Sequence, residues 1–538
     1  MYYYGAQRSG YQDHLLDSEK PFPAEHRRVP PPKHHWSKEL QAACEASASA
    51  RAGIHQPERM QEYLLPQSGP SWQQVSLAIV NSLLGVGVVG LPETLRAAGW
   101  IGLLVLFFAA LVTSFTAKLL VWSFHTCNQR KVNADAVGKG FVSTYEQIAE
   151  EATGRKRAAY FTRCVVAAEC YGYALGCLVL HVANWTMLLQ TIVHTVGRAP
   201  RSSSALLVDG CEMQVIIGLF LFLALPTTLL QPRPRQQLAL LGLGSNLVIL
   251  LVTILGPILA GLPLQPGQSC PRIDTSISFA SISVGDSFDH STVRPSGLGL
   301  AAGLALFVFG GQHTSLPKVY FSMAANQRVH FDKAVNWGYG IAFAFCALFS
   351  AAAYFLYGGC VADVFSLNLM GGLPVLGGIA TLSLLLNTFG TFALFLAPVV
   401  DIVTHALQPS QALPAARSNT HPGIGVERPP LFVAMSAAAV AVRLLLLLLA
   451  GAIAWGLPHF GMLAGLFGSF ASMFCSVILP ILFYFQVHLL HVTLLKRCVA
   501  GGIVIGGIVG LVCGVHSTVS ALVCTQAWHL PFLKFWGC

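Results

Sequence analysis

From Trp72 onward the chain alternates apolar runs of near twenty residues with short polar stretches. That length is what a hydrocarbon core of about 30 Å demands of a helix. The pattern predicts about eleven membrane-spanning helices. They are Trp72–Leu95, Trp100–Phe124, Tyr160–Val193, Glu212–Leu230, Gln237–Leu262, Leu298–Leu316, Val335–Gly358, Leu373–Pro398, Leu431–Leu457, Met462–Val487 and Val499–Thr525. Residues 1–70 mix Pro, His, Arg, Glu and Ser with no period and read as a disordered cytoplasmic tail. The membrane domain occupies 71–525, and 526–538 form a short non-cytoplasmic C-terminal tail.

Two of the runs carry interruptions. The first, NSLLGVGVVGLPETLRAAGW from Asn81 to Trp100, holds Gly85, Gly87, Gly90 and Pro92. An interior glycine costs about 1 kcal/mol of helix propensity and a proline about 3, so the helix breaks there. Unpaired backbone is tolerated at membrane depth only where protein buries it or a wet cavity receives it. Close packing of small residues is the competing reading. The sixth run repeats the feature, with Gly310-Gly311, Gln312, His313 and Pro317. Two broken spans five apart are the sign of an inverted-repeat transporter whose substrate binds between the breaks.

Composition narrows the class. At 538 residues, 54% hydrophobic and 10% charged, the chain has too few charges to cover a soluble globule of its size. The formal net charge of +9 comes from Lys and Arg clustered between apolar runs, which is a topology signal and no sign of nucleic acid binding. The lysines and arginines put the N-terminus in the cytoplasm and, with eleven spans, the C-terminus on the other side. No basic segment with a short apolar core and cleavage site opens the chain, so no signal peptide is expected. No CxxC pair, HExxH, GxxxxGK[ST] or GxSxG supports metal, nucleotide or hydrolase chemistry. The chain is therefore not expected to be an enzyme or to need a cofactor.

The candidate substrate-binding residues are Asn81, Ser82, Gly85 and Gly87 at the first break, and Phe309, Gly310 and Gln312 at the second. Thr381 joins them from a polar stripe with Ser383, Asn387 and Thr388, which either lines the cavity or glues helices. Glu169, deep in the third span, is the first candidate for proton coupling, because an intramembrane carboxylate is expensive unless neutralised, paired or wet. The alternative is a structural, permanently protonated Glu partnered by Tyr171 or Tyr173. His313 is the second candidate; His181 reads as structural. Cys211 and Cys270 fall in two non-cytoplasmic loops, where an oxidising compartment would let them pair.

Together NSLLGVGVVGLPETLRAAGW, FFAALVTSFTAKLL, TYEQIAEEATGR with AAECYGYALG, FGGQHTSLPKVYFSM and LPHFGMLAGLFGSFASMFCSVILP resemble the amino acid/auxin permease family. Within it the chain looks most like vesicular inhibitory amino acid and vacuolar amino acid transporters, from Ser71 to about Val487. The resemblance implies an all-α integral membrane protein with a LeuT-like 5+5 inverted repeat, discontinuous helices 1 and 6, and one added helix. It also implies secondary active amino acid transport: proton-coupled antiport across a vacuolar, lysosomal or vesicle membrane, or else plasma-membrane symport or amino acid sensing. The partners implied are an amino acid, protons and the lipid bilayer. Where relatives carry an aromatic after the first-span proline, this chain has Glu93.

Overall fold

The computed structural model describes residues 69–133, 142–197, 211–229, 244–256, 290–311, 313–372, 374–407, 437–457, 459–488 and 493–526. Among these every regular element is helical. Seven helices are long and apolar enough to cross a membrane, and a bent pair, the first span, is an eighth. Three shorter apolar helices, Gln214–Leu229, Gly244–Gly256 and Pro295–Gly310, stand where the fourth, fifth and sixth spans are predicted. The described residues are thus all-α, those of a multi-pass membrane protein with the first and sixth spans discontinuous.

Local chemistry sets the breaks. The first span starts at Ser71, whose side chain accepts from the Gln74 amide while Gln74 caps in return. Helix Trp72–Leu83 runs until Gly85 turns extended; a 3-10 turn over Val86–Gly90 follows, and Pro92 opens the second half, Pro92–Ala98. The halves are bent by 52°. In the sixth span, helix Leu298–Gly310 stops at the glycine pair and restarts as Leu316–Ser322, with Pro317 in its first turn.

The second span (Gly102–Asn133) and the third (Lys156–Gly197) are continuous. Between them lies a short helix, Tyr145–Thr153, started by a Thr144/Gln147 capping box and ended by Gly154 at φ 66°. The seventh span (Phe331–Tyr357) leads through a loop and helix Phe365–Gly372 into the eighth, Pro374–Leu407. The ninth is Ala437–Gly456. The tenth, Phe460–His488, widens into π-helix over Gly468–Ser472 and Phe474–Ile478. Protein encloses 78% of the third span's apolar window and 72% of the tenth's, but 17% of that of the eleventh, Leu494–Gln526. The eleventh therefore lies at the edge of the described bundle, as expected of the added helix.

The second half of the first span is clipped to the segment entering the sixth. Trp100 and Ile101 amides donate to the Ser291 and Thr292 carbonyls, and the Arg294 amide donates to Ala98. Tyr354 of the seventh span packs edge-on to Trp100 at 5.2 Å, and its hydroxyl accepts from the Ser291 amide. One end of the molecule thus gathers the second half of the first span, the start of the sixth and the end of the seventh.

Candidate functional site

The two breaks face each other. A Cβ on Gly87 would lie 2.9 Å from Val308 Cγ2 and 3.1 Å from Phe307 Cδ1, so the first break packs directly on the sixth span. A Cβ on Gly90 would come within 2.4 Å of Phe460 Cε1 on the tenth span. These two glycines serve close approach, the competing reading of the sequence. Gly85 differs: a Cβ there meets only the Ser82 carbonyl at 3.5 Å, leaving open space beside it. Its amide has no hydrogen-bond partner among the described residues. Asn81 is half-buried and Ser82 exposed on the last turn before it. The Leu84 carbonyl is satisfied by the side chain of Asn246 on the fifth span. Nothing in the sequence around Asn246 signals that role.

The sixth break is occupied by protein. The Gly310 carbonyl accepts from Ser476 Oγ at 2.8 Å and lies 2.9 Å from His313 Nδ1. Tyr339 reaches the Phe309 carbonyl at 3.4 Å, and Tyr173 donates to Phe307 at 2.8 Å. The Gly310-Gly311 pair has a steric cause. Added Cβ atoms would meet Ser476 Oγ at 2.7 Å and Tyr173 Oη at 2.5 Å. Phe309 and His313 are fully buried, and His313 Nε2 lies 3.2 Å from Thr116 Oγ1 of the second span. Thr116 in turn donates to the Ser476 carbonyl. Gln312 lies outside the described residues. So do Cys270 and the Cys211 side chain, and with them the expected pairing.

Glu169 sits on the third span, buried to 1% exposure against Ser472 and Cys475 in the π-helical stretch of the tenth span. Neither carboxyl oxygen completes a hydrogen bond among the described residues. The tyrosines expected to partner it point elsewhere: Tyr171 donates to the Leu446 carbonyl and Tyr173 to Phe307. Tyr173 also lies 3.1 Å from Ser472 Oγ, so Ser472 stands between the acid and Tyr173. A chain of polar groups therefore runs from Glu169 through Ser472 and Tyr173 to the last turn of the broken sixth helix. Tyr145 of the short helix donates to the Cys475 carbonyl from the other side. The sequence pattern missed this π-helix, a device recurrent at functional sites.

His181 has both ring nitrogens engaged, by Thr388 at 3.0 Å and Trp185 at 2.9 Å, as a structural histidine should. Thr381 is fully buried and its hydroxyl lacks a partner among the described residues. Its span packs on the 3-10 turn of the first break.

Comparison with known proteins follows the geometry. The family model described as transmembrane amino acid transporter protein matches residues 68–523. Among curated proteins, Amino acid transporter AVT1C of Arabidopsis thaliana is 24% identical over 498 residues, 91% of this chain and 77% of that one. Amino acid transporter AVT1J of the same plant is 25% identical over 462 residues, 84% of this chain and 92% of that one. Among solved structures, a substrate-bound, outward-open Na+-coupled sialic acid symporter aligns with a TM-score of 0.43 at 12% identity, covering 90% of this chain and 96% of that one. Both curated relatives are transporters and not enzymes, as the motif reading expects.

Proposed function

This chain belongs to the transmembrane amino acid transporter family, and from that premise we propose that it is a proton-coupled amino acid antiporter of a vacuolar, lysosomal or vesicle membrane. The amino acid carboxylate is received at the first break, where the Gly85 amide has no hydrogen-bond partner among the described residues and the space beside it is open among them. Asn81 and Ser82 border that space, and Gly87 seats the break on the sixth span. The sixth break, its carbonyls already taken by Ser476, His313, Tyr339 and Tyr173, supplies shape and a moving partner rather than free acceptors.

The observation that carries proton coupling is the polar chain from Glu169 through Ser472 and Tyr173 to Phe307. A buried acid that gains and loses a proton changes the cost of its surroundings, and this one lies beside Ser472, which contacts the tyrosine that donates to the turn ending the sixth helix. Proton binding thus acts on a broken helix that must shift for access to alternate. His313, tied to the second and tenth spans through Thr116, is the second group in reach of that break.

Orientation has its own support. Cys360, at the end of the seventh span that adjoins Trp100, is disulfide-bonded to a partner outside the described residues. A disulfide marks the oxidising side, which leaves the Trp72 end and the N-terminus cytoplasmic.

The test is Glu169→Gln in proteoliposomes. Gln keeps size and hydrogen bonding, so pH-driven accumulation should vanish while exchange of labelled for unlabelled amino acid persists. Accumulation at the wild-type level would remove Glu169 from coupling.

A further inference from the structure

The end of the molecule that carries Cys360 holds two buried carboxylates on different elements. Glu93 (3% exposed) lies on the second half of the first span; Asp363 (2% exposed) lies in the loop between the seventh and eighth spans. Gly461, in the first turn of the tenth span, marks where they meet: a Cβ there would sit 3.3 Å from Asp363 Cβ and 3.6 Å from Glu93 Cγ. Three elements therefore close on one point. Glu93 holds Arg96, with Nε 2.6 Å from Oε2 and Nη2 2.6 Å from Oε1, and a second guanidinium, that of Arg294, sits on the Arg96 carbonyl. Asp363 faces the amides of Val364 and Gly461 without completing a hydrogen bond to either. One guanidinium thus serves two carboxyl groups, a balance that ionisation of both would upset.

The two acids belong to different parts of the core. Arg96 is fixed to the start of the sixth span through its carbonyl, which accepts from Arg294 Nη1 at 3.1 Å. The Asp363 loop is braced by Asn368, which receives the Ala362 amide at 2.8 Å and donates to the Cys360 carbonyl at 2.9 Å. Ser366 then ties it to Asn184 of the third span at 2.7 Å. Glu93 thus sits on a unit tied to the sixth span, and Asp363 on a unit tied to the third.

We propose that Glu93 and Asp363 form a proton-operated latch on the gate at this end: a proton held on Asp363, beside the Arg96-paired Glu93 carboxylate, holds the gate shut, and its loss to solvent drives the elements apart. The latch rests on the alternating-access reading above. Burial, then the Glu93 carboxylate, push Asp363 up to about 7, against a smaller opposing pull from Arg96. A raised carboxyl pKa in the shut state means that the shut state gains stability as pH falls below 7 and loses it as pH rises through 7. On the tenth span the nearest ionisable group in sequence is His459; burial lowers its pKa, so it adds no charge near neutrality. Helix Phe365–Gly372 carries no ionisable side chain.

Hydrogen exchange on the full chain in nanodiscs, corrected for intrinsic rates, reads the latch without any substrate. With Asp363 releasing its proton near 7 when shut and near 4 when hydrated, protection of peptides spanning 90–98 and 358–372 should rise about 30-fold from pH 8 to pH 5.5. Asp363→Asn should hold high protection at both pH values. Glu93→Gln, which frees Arg96 for Asp363, should move the transition to more acid pH. Wild-type protection that does not change with pH, or an Asp363→Asn protein that keeps the wild-type response, would overturn the latch. Amino acid uptake measured on the same preparation separates the two readings: uptake with flat protection removes the latch alone, and a working latch without uptake removes the transport reading.

Discussion

Removing a single hydroxyl, in Tyr173→Phe, tests the path from acid to broken helix. The ring stays where it is, held between Phe307 at 4.5 Å and Phe395 at 4.9 Å, so packing is unchanged. What disappears is the 2.8 Å hydrogen bond to the Phe307 carbonyl and the 3.1 Å contact with Ser472. The Phe307 carbonyl lies four residues before Gly311, at the end of the helix, where its own helical partner is missing. A buried acceptor left without a donor costs about 1–3 kcal/mol, a factor of roughly 5 to 150 in the equilibrium between conformers. Apparent stability of the detergent-solubilised protein should therefore fall. In proteoliposomes, accumulation driven by an imposed pH difference should drop by at least several-fold, while counterflow exchange, which needs no proton, should change much less. Wild-type accumulation together with lowered stability would show that Tyr173 only supports the helix end, and the path from Glu169 would be wrong.

Other substitutions probe the remaining parts. Gly85→Leu should abolish uptake with normal trafficking, because its side chain fills the open space beside the first break; wild-type uptake would move the substrate elsewhere. Asn246→Ala should destabilise the protein by about 1–3 kcal/mol by orphaning the Leu84 carbonyl, a loss visible in thermal unfolding. Arg163→Leu, which breaks the 2.6 Å ion pair to the half-exposed Glu146, should lower stability by less than about 1 kcal/mol and leave transport intact.

The spans and both breaks were legible because glycine, proline and hydropathy act locally. Gly85-Gly87-Gly90-Pro92 could not form a straight helix whatever surrounded them. The reasons for individual glycines were not local. Gly87 and Gly90 are small because Phe307, Val308 and Phe460 press against them, and those contacts exist only after packing. Glu169 was conspicuous by its cost, but its neighbours were not. Ser472 and Cys475 reach it because the tenth span widens into π-helix, and no pattern in GSFASMFCSVI announces that. TYEQIAEEATGR falls between two predicted spans, yet its capping box builds a helix that plants Tyr145 on the tenth span. Asp363 drew no notice in the sequence, since one acid between two spans looks like any loop residue until Glu93 is folded against it.

The central claim is that a proton gradient drives an amino acid through this chain. Purified protein in sealed proteoliposomes, given a panel of radiolabelled amino acids with sodium absent, measures it directly. Proton-coupled antiport should accumulate at least one amino acid inside vesicles that are acidic within, an accumulation lost when the pH difference is collapsed by an ionophore. Accumulation that ignores the pH difference, or that follows a sodium gradient alone, would contradict it.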